Sequence, residues 1–376
     1  MILIPITHGQ DFVVWDKASS ATLRGVDIYA HHPDYPGGPF AYFPLFVYIE
    51  VPFRWLALHT GASFTVLGKL PMLVADIACA VLIRGELRRR GVLGRAAALG
   101  VALFFLNPLV LYDSAYYGRF DTLGCALLLA ALGGMSRGRS RAPLYYALAV
   151  AAKTFPAFLL AGVLRAAGSA WRRTVLVVIA VLVALSLPYL GAPRAFAHDV
   201  FLYDAAKPPQ TLSWQHLLLH VTSLHGAKLA SYLLLAAFAL ATIRLARIRD
   251  LRRYTVLVLV LFLLCSKVVL EQYLIWPMPW LVLLGWRSRS ASGRASLALL
   301  GTFTVVGLLD CESMHPLGRS SAVCEIVLAT ACVGYLLVDR FERRGRTART
   351  RLTGSITATA AGSSHQTGAD VASATT

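Results

Sequence analysis

Acidic residues are scarce in this chain. Only 19 Asp+Glu stand against 36 Lys+Arg in 376 residues, and all charged residues together make up 15% of the sequence. A water-soluble domain carries roughly 25% charged residues, so a soluble globular fold is excluded. The six cysteines include no CxxC pair, and neither they nor the histidines stand at zinc-ligand spacing, which argues against a metal centre. Most of the cysteines lie in apolar runs and read as small buried hydrophobes; Cys311 and Cys324, flanking the last interhelical loop, are the one pair placed to bridge. No GxxxxGK segment occurs, so a nucleotide-phosphate loop of that type is excluded. No internal repeat is visible.

What is abundant is apolar sequence: 57% hydrophobic residues, against a net charge of +17. That charge in a soluble protein would suggest nucleic acid, but its distribution says otherwise. The arginines sit in short clusters between apolar runs, as at Arg84 to Arg95, Arg137 to Arg141, Arg244 to Arg253 and Arg340 to Arg346. They are not interleaved with stacking aromatics. This is the positive-inside pattern of cytoplasmic loops facing anionic headgroups, and it implies a membrane partner and no nucleic acid. Spans of about 20 apolar residues are expected near 64–83, 96–112, 119–135, 173–190, 227–244, 254–267, 270–286, 295–309 and 322–339. The fold class is therefore all-α, a polytopic transmembrane helical bundle of about nine full spans.

Two further segments fit the charge parity only if they do not cross. The window 142–164 has arginines at both ends and "AAKTFP" at its middle, so a re-entrant pair of short helices is expected, broken at Pro156. The run "YFPLFVYIEVPFRWLALH", Tyr42 to His59, is expected to lie in the interface as an amphipathic helix with Glu50 and Arg54 paired. The chain then divides into an extracytoplasmic first loop with its interfacial helix (1–63), the bundle (64–339) and a disordered cytoplasmic tail (340–376) rich in Ser, Thr, Ala and Gly. The location is the cell membrane, multi-pass. "MILIPI" is too short to deliver an outside amino terminus, so a further apolar helix is expected upstream of Met1.

Polar residues gather at the expected outer face: Asp11, Asp16 and Asp27; Lys69; Asp113, Arg119 and Asp121; Asp204, Lys207 and Trp214; Lys267, Glu271, Gln272 and Tyr273. Ionisable groups at a bilayer boundary are costly, and each is a functional candidate by default. Each also has a plainer reading. Asp76 can pair with Lys69 or a carbonyl, Lys267 and Arg119 can snorkel to headgroups, Lys153 can be structural, and Asn107 can satisfy backbone freed by Pro108. A carboxylate near cations at a lipid boundary, with aromatics around them, suits transfer of a sugar from a lipid phosphate. The acceptor hydroxyl needs a general base, the departing phosphate needs cations, and Tyr29, Tyr42, Trp214 and Tyr273 can stack on sugar faces.

At these residues the sequence resembles the GT-C superfamily of polyprenyl-phosphate-sugar-dependent glycosyltransferases, across most of residues 9–286. "DFVVWDKA", "LRGVDIY" and "FAYFPLF" look like that group's first-loop pattern. "LGKLPMLVADIACAVLI" looks like its G-K-to-D helix, "FLNPLVLYDSAYYGRFDTLG" like its N-P loop, and "AKTFP" and "SKVVLEQYLIW" like its K-x-x-P and K-V-to-W elements. The nearest likenesses are the first mannosyltransferase of glycosylphosphatidylinositol synthesis and the bacterial polyprenyl-phosphomannose-dependent mannosyltransferases.

The resemblance implies that Asp11 is the catalytic base, that Arg119, Lys267 and Lys69 hold the donor phosphate, and that Tyr29, Tyr42, Asp121, Trp214, Gln272 and Tyr273 line the substrate site. It implies a polyprenyl-phosphate sugar donor, a lipid or glycan acceptor, hexose (mannose) as the sugar, and no cofactor. Where eukaryotic members carry D-x-D, this chain reads Gly9-Gln10-Asp11. The first carboxylate is absent, which weakens a metal-bridged version and leaves Asp11 alone, an arrangement that a metal-free inverting displacement accommodates. Two other readings stay open: a transporter or lipid flippase using Asp76 with Lys153, and an inactive relative serving as an assembly partner.

Overall fold

The computed structural model describes residues 9–31, 35, 38–210, 212–218, 223–311 and 322–345, and every regular element among them is helical. The longer helices are α1 (Gln10–Leu23), α2 (Leu45–Thr60), α3 (Leu70–Arg89), α4 (Gly94–Phe105), α5 (Asp121–Met135), α6 (Ala142–Ala152), α7 (Leu160–Ala167), α8 (Trp171–Ser186), α9 (Leu224–Leu245), α10 (Leu251–Cys265), α11 (Met278–Gly285), α12 (Ala291–Asp310) and α13 (Ala322–Gly345). Local chemistry sets their ends. Pro71 opens α3, where its missing N–H costs nothing, and Arg88 and Arg89 close it against the negative end of the helix dipole. Asp250 caps α10 by accepting from the Arg252 N–H at 3.0 Å, and Ser290 caps α12 by accepting from that of Gly293 at 3.0 Å.

Five runs are long and apolar enough to cross a bilayer: Phe64–Arg89, Phe155–Tyr189, Lys228–Leu245, Ala291–Asp310 and Ala322–Gly345. They cover five of the nine expected windows. The window 96–112 is instead a broken pair, Gly94–Phe105 and Pro108–Tyr117, bent by 51°. At that bend Asn107 accepts from the Leu109 N–H at 3.0 Å and donates to Thr304 at 2.7 Å, the backbone-satisfying role expected beside a proline. The remaining windows fall on α5, on α10 and on a 3-10 turn (Glu271–Ile275) followed by α11.

Exposed apolar side chains mark the lipid face. Val74, Ile77 and Val81 on α3, and Leu176, Ile179 and Val183 on α8, are each at least half exposed. Their spacing of three and four residues is one stripe of a helix. The opposite faces pack into the bundle core around Phe104, Leu128, Trp280 and Phe303.

The chain breaks where a re-entrant pair was expected. Lys153 leaves the helix in an extended conformation (φ −146°, ψ 146°). The Tyr146 hydroxyl then donates to the Pro156 carbonyl at 2.9 Å, a contact impossible along a straight helix, where ten residues span about 15 Å. The chain therefore breaks at Lys153, and the residues beyond it belong to the apolar run Phe155–Tyr189 and not to a separate re-entrant pair.

The first 60 residues depart from expectation in two ways. Asp11 lies in the first turn of a helix, not in a loop, because α1 packs along α2 over an aromatic core. In that core Phe46 stacks on Phe120 at 3.8 Å and Trp15 meets Phe120 edge-on at 4.9 Å. Glu50 and Arg54 do not pair. Arg54 turns to Asp16 (3.0 Å) and Ser20 (2.8 Å) on α1. Glu50 is fully buried, and neither carboxyl oxygen has a hydrogen-bond partner among the described residues. Cys311 and Cys324 are not bridged to each other, and all six cysteines are buried. At the other end α13 continues past residue 340 to Gly345. Residues 1–8, including "MILIPI", and 346–376 lie outside the described residues.

Burial raises the Glu50 carboxyl to about 9, so folding takes up a proton that the unfolded chain releases near pH 4.5. Stability from this group is complete below that lower value and lost as the pH rises toward 9. Glu50→Gln is expected to flatten the fall in unfolding temperature between pH 5 and pH 9. The check is a pH series of thermal unfolding on detergent-solubilised protein; equal slopes for both proteins would contradict it.

Candidate active site

The end of the bundle where α1, α3 and α5 begin collects buried ionic groups. Residues Tyr112–Tyr117 form a π-helical turn, a rare conformation found at functional sites, and the turn ends at Gly118 with φ 68°. Glycine is needed there twice over. The left-handed backbone strains any other residue, and a Cβ would lie 2.5 Å from the Phe12 ring. This sharp exit aims Arg119 back across the turn.

Arg119 is the hub. Its Nε donates to Asp11 Oδ2 at 2.6 Å and its Nη1 to Glu271 Oε1 at 2.5 Å, with Asp113 Oδ1 3.9 Å from the same nitrogen. The guanidinium lies over the Tyr117 ring, 4.2 Å from its centroid, a favourable cation–π placement. Three carboxylates thus surround one cation. Asp113 is buried with no hydrogen bond to either oxygen among the described residues, and the Gln272 side-chain oxygen is likewise unsatisfied. Buried acceptors without hydrogen bonds are costly in an apolar setting.

A second network lies beside the first. Lys153 Nζ is 3.1 Å from Asp121 Oδ2, and Asp121 Oδ1 accepts from Trp276 Nε1 at 2.6 Å. The ammonium sits over Phe120 (4.4 Å) and Tyr42 (4.8 Å). Asp121 is fully buried and Lys153 nearly so. Asp76 takes no part in it; Ser114 donates to Asp76 Oδ2 at 2.6 Å. The Asp76–Lys153 pair that a transport reading needs is absent.

The expected site residues therefore separate. Asp11 and Arg119 meet directly. Lys69 is fully buried and donates to the carbonyls of Ala115 (2.9 Å) and Tyr116 (2.8 Å), clamping the turn that presents Arg119. Lys267 donates to the Ala205 carbonyl at 2.7 Å. Tyr29 is fully buried, its hydroxyl donating to the Tyr42 carbonyl at 2.6 Å, so its ring faces protein. Tyr42 lies half-buried against Lys153 and Phe120. Trp214 donates from its ring to the Leu264 carbonyl at 2.7 Å, tying the 212–218 segment to the end of α10. Tyr273 stacks on Trp276 at 4.2 Å. Glu271 and Asp113 were visible as polar residues at this face, but no role was drawn for them. The signal was there in "LEQY", where Glu271 adjoins Gln272 and Tyr273.

Replacing Lys153 with Met is expected to lower stability by about 3–5 kcal/mol, because Asp121 is left buried without a counter-charge. Adding Asp121→Asn, which keeps an acceptor for Trp276, should restore most of that loss. Denaturant unfolding of the single and double variants measures the coupling; additive losses would show that the two groups do not act as a pair.

Residues 40–270, more than half of the chain, match the family model of glycosyltransferase family 87. The matched stretch begins at the aromatic core of the first segment and ends one residue before Glu271.

Proposed function

As a member of that family the chain is a membrane glycosyltransferase, and we propose that it is of GT-C-like kind and moves a hexose, mannose in the first instance, from a polyprenyl phosphate to a lipid or glycan acceptor. The reading places the Asp11 end outside, in the cell membrane, with the carboxyl terminus in the cytoplasm. Its support is the charge parity of the arginine clusters.

The observation that carries the mechanism is the Asp11–Arg119 contact at 2.6 Å. In the resting protein Arg119 is held by Asp11 and Glu271, while Nη2 makes no hydrogen bond among the described residues. A donor phosphate entering the cluster competes with these carboxylates for the guanidinium, a planar donor suited to bidentate phosphate contact. Exchanging Asp11 for a phosphate oxygen leaves Asp11 beside the anomeric carbon and free to accept a proton.

The step is then a single displacement. The acceptor oxygen bonds to the sugar C1, its proton passes to Asp11, and the C1–O bond to phosphate breaks with its electron pair. Arg119 stabilises the charge that develops on the leaving phosphate. Lys69 fixes the turn that carries Arg119. Lys267 serves as a further phosphate contact once it leaves the Ala205 carbonyl. Asp121, Tyr42, Trp214, Gln272 and Tyr273 shape the sugar pocket, and Tyr29 supports Tyr42 from behind.

Asp11→Asn is expected to reduce transfer by about 10²–10⁴-fold, the range of a lost general base, with expression and membrane insertion unchanged. Arg119→Lys, which keeps charge but loses the fork, should raise the donor KM. Membranes supplied with radiolabelled polyprenyl-phosphomannose provide the assay. Wild-type activity in Asp11→Asn would remove the base assignment, and transfer from a different polyprenyl-phosphate hexose would change the sugar but keep the mechanism.

A further inference from the structure

The far end of the bundle holds a cavity that the transfer mechanism does not use. Helices α3 and α5 begin at the Asp11–Arg119 cluster and run away from it for 20 and 15 residues, about 30 and 22 Å at 1.5 Å per residue. Where they end, a cavity of about 620 Å³ opens between them and α7, α10 and α11. That volume suits a small-molecule site.

Its lining is two-sided. Leu129, Leu132 and Trp280 form an apolar floor, and the mouth carries five arginines, Arg89, Arg137, Arg165, Arg249 and Arg252, against two acids, Glu86 and Asp250. Most of the guanidinium groups are already engaged. Arg89 bonds to Glu86 at 2.8 Å, Arg252 to Asp250 at 3.0 Å and to Glu86 at 3.1 Å, and Arg165 to the Ile248 carbonyl at 2.7 Å.

Two make no side-chain hydrogen bond among the described residues: Arg137, whose contact with Glu86 is a long ion pair at 4.0 Å, and Arg249. Burial, then Arg89 and Arg139, hold the Arg137 guanidinium below its ordinary value, as expected where positive charge is in excess. A topological retention signal needs only net charge at a membrane face. Here the arginines converge on an apolar-floored cavity, which is the geometry of a ligand site.

We propose that this cavity binds a phosphate group, with Arg137 and Arg249 as its donors and the apolar floor taking the attached hydrocarbon. The site is separate from the transfer centre and does not depend on the reading of that centre. An anionic phospholipid and a free phosphate share the chemistry, and they are told apart by the floor, which only the lipid would use.

The test is native mass spectrometry on the full chain in dodecyl maltoside, supplied in turn with dioleoylphosphatidylglycerol, dioleoylphosphatidylcholine and inorganic phosphate. The wild type is expected to retain one phosphatidylglycerol per chain in preference to phosphatidylcholine. Arg137→Gln should weaken retention about fivefold, and Arg137→Gln with Arg249→Gln about thirtyfold, the effect of one and two surface cations on an anionic headgroup. Ser136→Trp, which keeps every charge but fills the cavity, should abolish retention, and Arg172→Gln, outside the cavity, should leave it unchanged. An unfolding temperature equal to that of the wild type confirms that each variant has folded. Retention of inorganic phosphate alone would uphold the site and assign it to a free anion. Retention of neither probe by the wild type, or retention equal to the wild type in the double variant and in Ser136→Trp, would overturn it.

Discussion

A guanidinium shared between carboxylates from distant parts of the chain is the constraint on which the rest of this end of the molecule depends. Arg119 joins Asp11 on α1 to Glu271 on the turn before α11, partners 108 and 152 residues away. A buried cation tolerates this position only with counter-charges and hydrogen bonds in good geometry. Fixing Arg119 therefore fixes three segments at once. The aromatic core under α1 and the left-handed Gly118 follow from that requirement, since each sets the angle at which a partner arrives.

The same rule governs two other buried cations. Lys153 is satisfied by Asp121, and Lys69 by two carbonyls of the π-helical turn. A π turn leaves backbone carbonyls out of the ordinary i to i−4 ladder, and the lysine occupies them. The fold thus converts an irregular, costly stretch of backbone into a rigid platform for Arg119. Rigid placement of charge is what an active site needs before any substrate arrives. The opposite end of the bundle is built differently. There, arginines outnumber acids around an apolar cavity, and some of their donors stay uncommitted.

Much of the architecture was legible in the sequence. Apolar runs and arginine clusters predict a helical membrane bundle, and "AAKTFP" predicts the break that the chain makes at Lys153. Asp11 and Arg119 were both readable as site residues, and they meet. What could not be read was which oxygen each cation would find. Lys69 and Lys267 look alike as lysines at helix ends, yet one is buried on the carbonyls of a neighbouring turn and the other reaches Ala205. Glu50 and Arg54 are correctly spaced for a helix pair, but α1 offers Arg54 the carboxylate of Asp16 instead.

Composition and periodicity alone determined that this chain enters lipid, roughly where its helices lie and which residue types gather at one face. Those properties are local, set by the cost of placing polar groups in hydrocarbon within one turn or one span. Only the tertiary structure decided the pairings: Arg119 with Asp11 and Glu271, Lys153 with Asp121, Glu50 with no hydrogen-bond partner among the described residues. A long side chain chooses its partner by distance in space, and segments more than a hundred residues apart come within 3 Å only once the helices have packed.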